Sequence, residues 1–288
     1  MKKTIFGFAA LMSAVVLAAC GGGGTDTSGN NSGGNGNNKE ELTFPIATKN
    51  NDDAIEDGEL EAAVATDSQF KGLFQWEFYQ DSYDAAFMAP SHEPLFANDD
   101  DFRITDDGAA TLDLDEDTKK ATIKVKDNVK WSDGEDVTAD DVIFPYEIIG
   151  NKDYTGIRYD DTFRNIVGME EYHDGSADTI SGIKKIDDKT VEIEYKEVNP
   201  SMLQSGGGIW SYAAPKHTLE GVAIKDMESS DQVRKNPVTF GPYYMSNIVA
   251  GESVEYLPNE HYWNGTPKLK KITMKSVPMA SATEALNS

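Results

Sequence analysis

Residues 131–144 read WSDGEDVTADDVIF, with five carboxylates at Asp133, Glu135, Asp136, Asp140 and Asp141. Such a cluster could hold a hard cation through oxygen ligands, or supply a pair of catalytic carboxylates. A third reading needs no ligand. Ser132-Asp133-Gly134-Glu135 has turn chemistry, because glycine tolerates positive φ and aspartate bonds its own backbone. Thr138 suits a helix N-cap, and Asp141 three residues on imitates a capping box. Asp140 and Asp141 then fall in the first turn, where the helix dipole favours negative charge. Val142, Ile143, Tyr146 and Ile149 give that helix a buried face. Every carboxylate therefore has a local structural task. The stretch reads as a strand ending at Trp131, a turn and a capped helix, with Trp131 and Thr138 expected to be structural.

The other candidates for chemistry are weaker. LDLDEDT places Asp113, Asp115 and Asp117 at alternate positions, like the start of a calcium loop. Thr118 stands where that loop needs glycine, and Lys124 where it needs glutamate, so an exposed strand edge fits better. His92, His173, His217 and His261 are far apart, with no HExxH pair and no cysteine partner, which argues against zinc. No G-x-S-x-G or phosphate-loop pattern occurs. Gly206-Gly207-Gly208 lacks the following Lys-Ser/Thr of a phosphate cradle. Either a ligand closely approached by backbone or a mobile loop would account for it. No catalytic residue, metal or cofactor is expected, and a secreted hydrolase would lack its nucleophile–base set.

These groups must be positioned by a chain of 288 residues, 39% of them hydrophobic. That is enough for one large domain or two modest ones. Against 26 Lys+Arg stand 50 Asp+Glu, a net charge of −24. That balance argues against nucleic acid and against anionic lipid as electrostatic partners. The single cysteine, Cys20, excludes an intrachain disulfide. It ends a leader in which Lys2 and Lys3 precede an apolar stretch, Ile5 to Ala19, too short to span a bilayer comfortably. Leu17-Ala18-Ala19-Cys20 resembles the lipobox of bacterial lipoproteins, which implies acylation of Cys20 and a membrane anchor. The following run, nearly all Gly, Asn, Ser and Thr, reads as a flexible tether over 20–41 with a reach of roughly 25 Å.

Beyond the tether, Glu59–Thr66 reads as a strand. Residues 68–83, rich in aromatics, are ambiguous between helix and loop. Residues 110–116 and 121–126 alternate apolar and polar, as half-buried strands do, with a turn over 117–120. Residues 138–150 read as a helix. Residues 184–196 form a second hairpin, with Val191, Ile193 and Tyr195 on one side. Further strands fall at 253–257 and 270–275, and a helix start at 282–287. Strands and helices are mixed with hairpins, so the class is α/β or α+β with a mixed sheet, α/β being the expectation.

Three runs are recognisable together. KVKDNVKWSDGEDVTADDVIF is similar to a "gvkWsDGtpvtAeDv" signature, NPVTFGPY at 236–243 to "NPvGTGPY", and VEYLPNEHYWNGTPKLKKITMK to "v.lerNpdYWgg.pkldki". Their order and spacing resemble the extracellular solute-binding proteins of the oligopeptide/dipeptide class, family 5, over roughly residues 59–288. Phe70–Gly72 and Ser230–Pro237 look most like the lactococcal and enterococcal branch. Phe240 departs from the family, which often has Thr or Gly there.

The resemblance implies a two-lobed, type II periplasmic-binding-protein-like fold. Residues 1–19 would be a lipoprotein signal peptide, 42–275 the first lobe and 276–288 the start of a second. It implies capture of extracellular oligopeptides, delivery to the permease subunits of an ABC importer, and an extracytoplasmic, lipid-anchored location. The alternative is a lone-lobe surface module for peptide sensing or adhesion without transport. Family likeness turns two loops toward the cleft. It offers Asp67, Phe70, Lys71 and Gly72 from the first, and Gly207, Gly208, Trp210 and Tyr212 from the second, as peptide contacts.

Overall fold

A computed structural model describes residues 57–282. The expected leader, Cys20, the tether and nearly all of the helix start at 282–287 lie outside the described residues. The chain opens with strand β1 (Glu59–Thr66), helix α1 (Ser82–Met88) and two short strands, β2 (Ala97–Asn98) and β3 (Ile104–Thr105). Strands β4 (Ala110–Asp115) and β5 (Lys120–Val125) lead to helix α2 (Ala139–Gly150) and two short helices, α3 (Asp161–Arg164) and α4 (Met169–His173). Strands β6 (Ile183–Lys185) and β7 (Thr190–Glu194) follow. Three single-turn helices come next: α5 (Lys216–Leu219), α6 (Ile224–Met227) and α7 (Asp231–Arg234). Strands β8 (Tyr243–Val249), β9 (Ser253–Pro258) and β10 (Lys271–Pro278) complete the order.

One four-stranded sheet has the order β4-β5-β7-β6 and is antiparallel throughout. Its register pairs Ala121 with Ile193 and Ile123 with Val191. Alternate residues of a strand share a face, so Ala121, Ile123 and Val125 are buried together with Val191, Ile193 and Tyr195. The expected period-2 pattern is therefore the core face of this sheet. Helix α2 and Trp131 pack into the same cluster. The turn between β4 and β5 is tied by Asp115, whose carboxylate accepts from the Asp117 and Thr118 N–H groups at 2.9 and 3.0 Å. The alternating carboxylates are thus strand-edge and turn residues.

The second sheet, β1-β10-β9-β8, is mixed: β1 pairs with β10 in parallel, and the other pairs are antiparallel. Strand periodicity gives β1 and β10 separately but cannot give this pairing, which joins residues over 200 positions apart. Strand β8 was not anticipated; it begins at Tyr243, the last residue of the NPVTFGPY run.

The ambiguous stretch 68–83 is neither a helix nor a free loop. Gly72 sits at φ 72°, which interrupts any helix there. Helix α1 starts only after Asp81, whose carboxylate accepts from the Tyr83 and Asp84 N–H groups. Phe70 and Phe74 enter the cluster with Phe87, Tyr256 and Ile272, while Phe78 enters another with Phe144 and Leu219. The aromatics of this stretch thus divide between two cores.

The 131–144 stretch forms as its residue types require. Gly134 adopts φ 94°, and Thr138 stands at the N-cap of α2. The expected capping box forms. The Asp141 carboxylate accepts from the Thr138 N–H at 2.8 Å and also from the Thr138 hydroxyl at 2.9 Å. The same group accepts from the Trp131 indole N–H at 3.3 Å and the Lys216 N–H at 2.9 Å. Asp141 is buried, and Trp131 is only 1% exposed. Asp141→Asn places an NH2 donor against donors, and an unsatisfied buried donor costs about 1–3 kcal/mol. Urea unfolding should show a loss of roughly 2–4 kcal/mol for Asp141→Asn, about 3–5 for Trp131→Ala and about 1 for Thr138→Ala. An Asp141→Asn protein as stable as the parent would refute the hub.

Candidate functional site

Among the described residues, a concavity of about 390 Å³ lies between the β2–β3 hairpin, the α3 region and the loop 205–212. The hairpin contributes Asn98 and Ile104, the α3 region Asp160, Thr162 and Phe163, and α2 contributes Tyr146. Ser205, Gly206, Gly208, Trp210 and Tyr212 form the loop wall, and Arg158 stands beside Asp160.

The three glycines have distinct reasons. Gly206 and Gly208 adopt φ 78° and 119°, conformations that favour glycine. A Cβ on Gly207 would stand 1.7 Å from the Ser201 carbonyl oxygen, so only glycine permits that approach. The loop is fixed at several points. The Ser205 N–H donates to the Phe102 carbonyl at 2.8 Å, and the Leu95 N–H to the Ser211 carbonyl at 2.7 Å. The Ala214 N–H donates to the Asp141 carbonyl at 3.0 Å.

A chain of aromatic rings follows that wall. Phe163 meets Trp210 at 5.8 Å between centroids, and Trp210 meets Tyr212 edge-on at 5.7 Å. Tyr212 stacks on Trp76 at 4.1 Å, and Trp76 meets Tyr79 edge-on at 5.0 Å. The Arg158 guanidinium lies 4.1 Å from the Tyr79 ring centroid and donates to the Tyr79 carbonyl. The pocket therefore offers flat apolar faces, exposed backbone at the glycines, and one charge of each sign.

Below the aromatic layer lies Glu77, fully buried. Neither carboxylate oxygen has a hydrogen-bond partner among the described residues. Burial pushes this carboxyl up to about 7, and its own backbone N–H, the neighbouring Gln75 and Trp210 side chains and the Arg158 charge only partly offset that. The Tyr154 hydroxyl donates to the Glu77 carbonyl.

Of the anticipated contacts, Gly208, Trp210 and Tyr212 line this concavity, and Gly207 shapes its loop without facing it. The 67–72 loop lies elsewhere. Asp67 borders a separate, open concavity with Gly251–Ser253 and Lys275–Pro278, and accepts from the Tyr83 hydroxyl at 2.7 Å. Phe70 is a core residue, 4.3 Å from Phe87 between centroids, so its ring has no ligand-facing surface. The Lys71 ammonium is directed to Gln80 and Asp81. The Gly72 N–H donates to the buried Asp84 carboxylate at 2.9 Å. Sequence reasoning missed Arg158, Asp160 and Glu77. The charged IRYDDTF run around the first two gave no periodic signal, and Glu77 looked like one more acid among aromatics.

The histidines do not converge. His92 is buried between Ser91 and the Phe74 carbonyl, and desolvation lowers it to about 4. His173 stacks on Tyr159, His217 meets Asp133 at 2.8 Å, and the His261 ring covers Gly134.

Comparison with known proteins matches residues 103–288 to the bacterial extracellular solute-binding proteins, family 5 Middle. An oligopeptide-binding protein OppA of Lactococcus lactis subsp. lactis is 39% identical over 251 residues, covering 85% of this chain and 42% of that protein. The oligopeptide-binding protein AppA of Bacillus subtilis is 32% identical over 165 residues, covering 57% of this chain and 27% of that protein. A lactococcal OppA structure, complexed with an endogenous peptide in the closed conformation, superposes with a TM-score of 0.77 at 39% identity. It covers 80% of this chain and 44% of that one. The chain thus spans less than half the length of these relatives.

Glu77 makes stability depend on pH. Its folded-state value lies above the ordinary 4.5, so its contribution is complete below about pH 4.5 and is lost as pH rises through 7. Glu77→Gln removes that loss and should stabilise the protein at pH 8 by roughly 1–3 kcal/mol, with little gain at pH 5. Parallel stability profiles for parent and variant between pH 5 and 8 would show that Glu77 is not held in a desolvated site.

Proposed function

This chain belongs to the bacterial extracellular solute-binding proteins, family 5, and from that membership we propose that it captures extracellular oligopeptides for an ABC importer. The observation that carries this reading is the wall of the pocket: backbone at Ser205, Gly206 and Gly208 beside Trp210 and Tyr212. Extended peptides offer both partners for such a wall. Their main chain bonds to backbone groups, and their side chains rest on aromatic faces. Arg158 and Asp160 supply opposite charges for the ligand's polar groups. The lactococcal relative's peptide complex supports the same ligand class. Binding and release, without bond-making in the peptide, is the activity proposed, and the permease subunits of the importer are the proposed receivers.

Tryptophan fluorescence reads the pocket directly, because Trp210 lines it and Trp76 stacks behind Tyr212. A concavity open on one side buries less of its ligand than the 70–90% of an enclosed site. Titrating a mixture of short peptides into the 288-residue chain should give a saturable change in the range of about 10 µM to 1 mM. Trp210→Ala should weaken it. A signal that never saturates, or one indifferent to Trp210→Ala, would remove the pocket from the peptide reading.

We also propose that Cys20 carries the lipid anchor and that the tether holds the folded part off the outer face of the cell membrane. No helix among the described residues is long and apolar enough to cross a membrane. Cys20→Ala should release the protein into the medium or leave an uncut precursor. A variant that remained membrane-bound at the mature mass would contradict the anchor.

A further inference from the structure

The five residues between β2 and β3, Asp99-Asp100-Asp101-Phe102-Arg103, form a tight hairpin loop. The Asp99 carboxylate accepts from the Asp101 and Arg103 N–H groups, and the Asp99 carbonyl from the Phe102 N–H. Phe102 adopts φ 62°. That is the left-handed position where such loops carry glycine, asparagine or aspartate, and a bulky aromatic there is strained. The residue is not a turn-former, and its ring does not stabilise the core, since Phe102 is 66% exposed. Local folding thus explains neither the strain nor the exposure.

Its location gives both a use. Ile104, two residues on, lines the pocket, and so does Ser205, whose N–H donates to the Phe102 carbonyl. Arg103 bridges to Gln204, which adjoins the exposed Leu203 in the chain. Ile157, 64% exposed, adjoins the pocket residue Arg158. Three of the seven large hydrophobic residues exposed among the described ones, Phe102, Ile157 and Leu203, thus lie within two positions of a pocket-lining residue. Scattered single exposures are ordinary, whereas exposed apolar residues on the segments that build a concavity can mark a contact surface.

We propose that Phe102 is a ligand contact: its ring closes over an apolar side chain of the bound peptide where that chain stands out of the pocket. The proposal rests on the peptide reading above and adds to it a residue and a preference. The loop keeps a strained aromatic because glycine or asparagine at 102 would relax the turn and lose the contact.

Three variants separate the two effects. Phe102→Gly and Phe102→Asn relieve the left-handed strain and remove the ring, and Phe102→Tyr keeps both. The probes are two synthetic peptides alike except for Leu or Ser at one central position, titrated by calorimetry and fluorescence into the 288-residue chain. Phe102→Gly and Phe102→Asn should raise Tm by about 2–4 °C. They should also weaken the Leu peptide about tenfold and leave the Ser peptide nearly unchanged. Phe102→Tyr should match the parent in both respects. If the parent binds the Leu peptide and Phe102→Gly binds it equally well, the ligand contact is refuted while the peptide reading stands. If the parent binds neither peptide at millimolar concentration, the peptide reading falls, and this contact falls with it.

Discussion

The structure depends on one buried carboxylate that has no paired cation among the described residues. Asp141 satisfies its charge with donors: the Thr138 N–H and hydroxyl, the Trp131 indole and the Lys216 N–H. Burying an unpaired charge is costly unless it is hydrogen-bonded. These bonds therefore constrain the turn before α2, the helix itself and the chain at residue 216 to one arrangement. Pro145 extends the constraint. It has no N–H, so the Asp141 carbonyl four residues earlier lacks its helical partner and accepts the Ala214 N–H instead. The end of the pocket loop is thus fastened to α2 by both the side chain and the backbone of one residue.

Around that hub the three recognisable runs meet. The Ser132 N–H donates to the Thr239 carbonyl, which joins the first run to the second. Phe240 packs edge-on against Trp131 at 5.4 Å, so the residue that departs from the family fills the space beside the buried indole. A Cβ on Gly241 would stand 2.4 Å from the Ser91 carbonyl oxygen, which demands glycine there. The Asn259 side chain of the third run donates to the Gly241 carbonyl at 2.9 Å, and His261 covers Gly134 of the first. The runs are one junction seen three times along the chain.

Much of the fold was legible for local reasons. The β4–β5 and β6–β7 hairpins follow from alternation, and α2 from its cap and apolar face. The parallel pairing of β1 with β10 was not legible, because it depends on the contents of two distant segments together. Nor was the fate of residues 68–83, where one aromatic run feeds two cores. The site was half legible. Gly208, Trp210 and Tyr212 could be chosen because glycines beside aromatics read oddly as core. Phe70 was chosen by the same argument, and it fails there because a loop with a glycine can still bury its aromatics. Glu77 had no sequence signal, since nothing in its spacing says that its carboxylate has no partner.

This division has a consequence for reading relatives of the chain. The residues that carry the resemblance, Trp131, Gly134, Asp141, Gly241 and Asn259, are held by packing and hydrogen bonds of the junction. None of them lines the pocket. The pocket wall comes instead from residues 94–104, Tyr146, 158–166 and 205–212, outside all three runs. Loops on a rigid scaffold can change without disturbing the core that holds them. The junction therefore identifies the fold, while on the proposed peptide reading the ligand would meet the hairpin, Arg158, Asp160 and the glycine loop. Two chains with the same three runs need share no ligand preference, and the residues proposed above to meet the ligand, Phe102, Arg158 and Trp210, are where such a comparison would test that proposal.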